Sequence, residues 1–119
     1  MDTNTFNKIV DERLNECVNV LCQKADEYAT ADRLHNFKSA ASLMKCTPIG
    51  ALGGMMVNHT VSVYDLIREH EAGVAISQEM WAEKIGDSIN YLLLLTALIE
   101  EENQLEEENE KSRIRKGEN

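Results

Sequence analysis

The stretch from Gln78 to Ser112, QEMWAEKIGDSINYLLLLTALIEEENQLEEENEKS, contains no proline and a single glycine, Gly86. A run of that length, rich in strong helix formers, predicts one long helix, and Ser77 ahead of it is a natural cap. The composition leans helical. The whole sequence holds one proline and six glycines, too little punctuation for an all-β fold. The fold class expected is therefore all-α, a bundle of about four helices with a long C-terminal helix.

The remaining helices follow from apolar spacing. Phe6, Ile9, Val10, Leu14, Cys17, Val18, Leu21, Cys22 and Ala25 recur every three or four residues, predicting a first helix from Phe6 to Tyr28. A shorter second helix is predicted after the cap candidates Thr30 and Asp32, with Leu34, Phe37, Ala41 and Met44 at helical spacing. Thr47 then caps a third helix that starts at Pro48, where a missing N–H costs nothing, and runs to about His70. Gly53 and Gly54 together forfeit about 2 kcal/mol of helix propensity, so close helix packing is expected to compensate. Gly73 supplies the last break.

The chain of 119 residues is one domain's worth. Residues 1–102 are expected to form that domain and residues 103–119 a charged extension, fraying and solvated, because Leu105 is the only large apolar residue from Glu100 to Glu110. The net charge of −9 repels a phosphate backbone and argues against sequence-independent nucleic-acid binding. Cys17, Cys22 and Cys46 are odd in number and lack CxxC spacing, predicting reduced, mostly buried thiols in a cytoplasmic protein. The longest apolar run, Tyr91 to Ile99, falls short of the roughly 20 residues of a membrane span, so no membrane role is expected.

The long helix has two faces. At 100° per residue Glu79, Glu83, Asp87 and Asn90 share one stripe that continues as Leu94 and Leu98, while Trp81, Ile85, Leu92 and Ile99 lie opposite. Beyond Asn90 the helix is apolar nearly all round, which implies burial in the bundle or against another subunit and favours a homo-oligomer. Carboxylates on an inward stripe must be paired, protonated or metal-bound. Glu83 and Asp87, at i and i+4, can place oxygens around one Mg²⁺; an ordinary solvated acidic face fits the same spacing.

The third helix repeats the theme with Asn58, Ser62, Asp65 and Glu69 on one side and His59 beside them. A solvent-facing polar stripe and a hydrogen-bonded structural histidine account for this pattern as well. The second helix contributes Arg33, His35, Asn36 and Lys38, donors of the kind that hold phosphate or a base edge. No cysteine has an evident activating neighbourhood, the His and Cys residues lack zinc spacing, and Gly50, Gly53 and Gly54 are not followed by the Lys and Ser or Thr of a P-loop.

The run KADEYATADRLHNFKSAASL, with ALGGMMVNHTVSVYDLI and MWAEKIGDSINYLLLL further on, resembles small phage and prophage proteins of the nucleotide-modification-associated type. Those are similar, more distantly, to all-α MazG-like and dimeric dUTPase-like nucleoside triphosphate pyrophosphohydrolases. The resemblance spans roughly Lys24 to Glu102. It implies a MazG-like helical bundle whose acidic helices coordinate Mg²⁺, or Mn²⁺, which grips a nucleotide's phosphates while water attacks to release a nucleoside monophosphate and pyrophosphate. Glu83 and Asp87 match the acidic pair on the family's last core helix. The EExxE-type motif of an earlier helix has no counterpart, with Asp11, Glu12 and Glu16 or Asp65 as substitutes, and Asn58 stands where the phage-type pattern carries Lys.

On this reading the chain binds a nucleotide and Mg²⁺ in host cytoplasm. Glu83 and Asp87 hold metal, Asp65 assists as ligand or base, and Arg33, His35, Asn36, Lys38, Asn58, His59 and Ser62 contact phosphate or base. Asn90 and Tyr91 shape the pocket. Two other functions share the sequence: a non-catalytic phage protein that sequesters a nucleotide or nucleotide signal, and a structural or partner-binding bundle.

Overall fold

Side-chain caps set where three of the four helices begin. The computed structural model describes residues 1–23 and 32–117. Asp2 Oδ1 accepts the Thr5 N–H at 2.8 Å and opens α1, Thr3–Val18. Thr47 Oγ1 accepts the Gly50 N–H at 3.0 Å and opens α3, Pro48–Glu71, with the proline in the first turn. Ser77 Oγ accepts the Met80 N–H at 3.1 Å and opens α4, Gln78–Arg115. Each satisfies one of the orphan donors of a first turn. The remaining helix, α2, spans His35–Met44 and has no side-chain cap on Leu34; just before it Asp32 Oδ1 accepts the Leu34 N–H at 3.0 Å.

Several boundaries differ from the sequence expectations. The first helix stops at Val18 and continues as one π-helical turn, Asn19–Gln23; Thr30 and the stretch expected to complete that helix, residues 24–28, lie outside the described residues. α4 does not unwind in its acidic part but runs unbroken to Arg115, with residues 102–111 exposed. Local ion pairs such as Arg113 with Glu110 accompany this solvated portion. A Cβ added at Gly53 or Gly54 would meet nothing within 4 Å, so these glycines do not serve a close helix approach. The expectation of buried thiols holds for Cys17 only; Cys22 sits on the π-helical turn and Cys46 in the α2–α3 turn, both exposed.

The core lies where α2, α3 and α4 meet. Leu34, Phe37, Leu52 and Leu98 form its buried centre, and Ile49, Met55, Met56, Tyr91, Leu94 and Leu95 pack around it. Gly73, at φ +88°, ends the turn after α3, and α3 and α4 then return side by side as an antiparallel pair. The chain bends by 97° between α2 and α3, which lays α2 across the end of that pair. α1 packs on α4.

This core is small for the chain. Among the described residues Leu52 is the one large side chain buried completely. Leu98 is 4% exposed and Leu94 half-buried, so the inward stripe turns into the chain's own core, while Leu92, Leu93 and Ile99 stay exposed. The radius of gyration, 18.9 Å, compares with about 13.5 Å for a compact chain of this length. No single helix is long and apolar enough to cross a membrane among the described residues.

Candidate functional site

A cleft of about 600 Å³ opens where the start of α2 crosses the acidic stripe of α4. Its volume falls within the about 300 to 1,000 Å³ of small-molecule sites. From α2 and its lead-in come Asp32, Arg33, His35, Asn36 and Ser39; from α4 come Asp87, Asn90, Tyr91 and Leu94. Phe37 and Met55 supply apolar surface, and Val20 and Leu21 on the π-helical turn close one side.

Local geometry fixes the polar groups. The Arg33 guanidinium donates to the Leu21 carbonyl at 2.7 Å, tying the lead-in of α2 to the π-helical turn. His35 Nε2 and Ser39 Oγ, one helical turn apart, lie 3.1 Å from each other. On the opposite wall Asp87 Oδ2 is 3.6 Å from His59 Nδ1 of α3, and the His59 ring lies over Tyr91 with centroids 4.5 Å apart. Tyr91 meets Phe37 edge-on at 6.4 Å. An aromatic ladder of His59, Tyr91 and Phe37 thus runs from α3 through α4 to α2. Asn90 Oδ1 is buried with no hydrogen-bond partner among the described residues, an arrangement costing about 1–3 kcal/mol when a polar atom is left unpaired.

No protein-family model, curated protein or solved structure gives a significant match to this chain. The site is therefore read from its own chemistry.

Six of the residues singled out in the sequence line the cleft: Arg33, His35, Asn36, Asp87, Asn90 and Tyr91. His59 joins them through Asp87 and Tyr91. The others sit elsewhere. Lys38 is not part of the cleft lining and is bonded to Asp32 at 2.7 Å and to Glu101 at 2.5 Å. Those two carboxylates hold its ammonium above the ordinary lysine range, and Lys38 in turn holds the Asp32 carboxyl below its usual value. Asp65 is exposed and paired with Arg68 one turn on. Asn58 is exposed, its carbonyl accepting the Ser62 hydroxyl at 2.9 Å. Glu83 is exposed and lies outside the cleft lining, one turn before Asp87 on the same stripe.

The donor set limits what a metal can do here. Of the two carboxylates lining the cleft among the described residues, Asp32 is bonded to Lys38, which leaves Asp87, with Glu83 at the exposed end of the stripe. Among the described residues no group of three or more His, Cys, Asp or Glu converges as a metal site. Mg²⁺ commonly takes one or two carboxylates and completes its shell with water and substrate phosphates, and the Glu83–Asp87 pair fits that mode.

Ser39, Phe37 and the Leu21 carbonyl were not singled out as site groups. Ser39 was accessible through its i,i+4 relation to His35; the carbonyl carried no side-chain signal at all.

Proposed function

We propose that the cleft binds a nucleotide with Mg²⁺, and that a nucleoside triphosphate is hydrolysed there to a monophosphate and pyrophosphate. The observation carrying this reading is the convergence of Arg33, His35 and Asn36 with Asp87, Asn90 and Tyr91 on one cleft of mononucleotide scale. Donors at the start of α2 face the phosphates, where the helix N-terminus adds a favourable field. Tyr91 and Phe37 offer the flat apolar surface a base requires.

Asp87 and Glu83 would hold a Mg²⁺ brought by the nucleotide, and the ion would neutralise charge at the phosphoryl oxygens. Asp87 and His59 lie side by side, Oδ2 3.6 Å from Nδ1, so both polar groups stand within reach of the same ligand. In the hydrolytic step a water oxygen bonds to the α-phosphorus, the bond from that phosphorus to the bridging oxygen breaks, and pyrophosphate leaves. The water's proton passes to a neighbouring base, for which His59 and Asp87 are the nearest groups. The same reading makes the chain a phage nucleotide-metabolism protein of the MazG-like kind, acting in host cytoplasm as a homo-oligomer, with Asp65, Lys38, Asn58 and Ser62 outside the chemistry.

A second reading draws on the pairing of Asp32 with Lys38, which leaves Asp87 as the one other carboxylate lining the cleft among the described residues. A site of that composition can hold a nucleotide and return it unchanged. Product analysis of the full chain with Mg²⁺ and a panel of natural and modified nucleoside triphosphates separates the two. Monophosphate and pyrophosphate in equal amounts support hydrolysis; ligand bound tightly and recovered intact supports sequestration; no binding and no product removes both.

A further inference from the structure

The side of α4 opposite the cleft carries a continuous apolar surface. Ile85 and Ile89, one turn apart, form a ridge flanked by two shallow grooves of about 360 and 350 Å³. Leu14 of α1 stands on one side, Tyr64 and Ile67 of α3 on the other, and Leu92 extends the ridge. All but Ile89 are among the exposed large apolar residues, with Leu92 54% exposed. The only charged side chain on either groove is Arg13.

We propose that this ridge is the interface of a two-fold homodimer. The area argues for it. The chain exposes 9,081 Å², whereas a folded monomer of its 13.4 kDa exposes about 6,500 Å². Part of the excess of about 2,600 Å² lies on the acidic final turns of α4; an obligate dimer buries about 1,000 to 2,500 Å² on each chain. The small core points the same way, because the apolar area that should stabilise the fold stands on the ridge instead.

A second copy is the occupant these features fit. A ridge between two grooves is self-complementary: in an antiparallel two-fold pairing, Ile85 and Ile89 of each copy seat in a groove of the other. A nearly uncharged surface offers no selective handle for a charged partner. The copy that would cover it is always present. The cleft lies on the far side of α4, so the proposal holds whether or not the cleft turns over nucleotides.

Sedimentation equilibrium of the full chain from 1 to 100 µM tests this, with Leu92→Glu and Ile85→Glu alongside. The expected mass is twice that of the chain. Each substitution places a buried charge across the two-fold axis and raises the dissociation constant by about 100-fold or more. Circular dichroism of the Leu92→Glu chain, altered at an exposed position, checks that helicity persists. Should both variants fail to fold, the melting temperature of the unaltered chain still decides: it rises with concentration for a dimer. A monomer at 100 µM, a melting temperature independent of concentration, or an oligomer that folded variants leave intact overturns the proposal.

Discussion

His59 Nδ1 stands 3.6 Å from Asp87 Oδ2 across the α3–α4 pair, and the same imidazole covers the Tyr91 ring at 4.5 Å. One side chain therefore lies against both the cleft's carboxylate and its aromatic platform. His59→Ala is expected to weaken nucleotide binding by about tenfold, the loss of one to two kcal/mol of orienting contacts, while leaving the helical circular dichroism signal intact. His59→Gln, which keeps a polar side chain beside Asp87, is expected to recover part of the affinity. Calorimetric titration of both variants checks the order.

The Lys38 strap between Asp32 and Glu101 makes a pH prediction. Because Lys38 holds the Asp32 carboxyl below its ordinary value, the stabilisation from Asp32 is complete above the unfolded-state value near 3.9. It is lost as pH falls through the lower folded-state value. Lys38 carries the opposite sign: its contribution is complete below about 10.4 and lost as pH rises through the raised folded-state value. In Lys38→Met the Asp32 carboxyl is expected to titrate at higher pH than in the unaltered chain, read from its side-chain carbon resonance by NMR.

Two backbone edits should stabilise the chain. Gly54 is exposed and has open space at its Cβ position, so Gly54→Ala is expected to contribute about 1 kcal/mol. Lys45 ends α2 at φ 55°, a conformation that suits glycine, and Lys45→Gly should add about 1 kcal/mol by relieving the left-handed backbone. Thermal melting at fixed protein concentration is expected to show a rise of several degrees for each.

Leu98 and Leu92 separate core from surface on one helix. Leu98→Ala, at the buried centre, is expected to cost about 2–5 kcal/mol, seen as a large drop in denaturation midpoint. Leu92→Ala leaves no cavity in the chain itself, and its effect is expected to appear in association.

Helical order was legible because capping and periodicity are local. Thr47, Pro48 and Ser77 marked helix starts that the structure places at the same residues. The strong formers after Gln78 marked the long helix, but not that it stays helical through the acidic stretch to Arg115. The π-helical turn at Asn19–Gln23 was hidden, since its apolar residues keep ordinary helical spacing. On α4 the angle around the helix separated the Asp87 and Asn90 stripe from Ile85 and Leu92. It did not show that Leu98 turns into the chain's own core, because which neighbour covers a face is a tertiary fact. Lys38 looked like a free phosphate donor until Glu101, distant in sequence, came to rest beside it.

The most direct test of the cleft assignment is calorimetric titration of the full chain with Mg²⁺ and α,β-imido analogues of nucleoside triphosphates, which bind without turnover at the α–β bond. Asp87→Ala should be run in parallel, with its helicity checked. The account predicts saturable binding of at least one analogue, one per chain, weakened about 100-fold or more by Asp87→Ala. Binding that is equally strong in the variant, or no binding by any analogue, would contradict it.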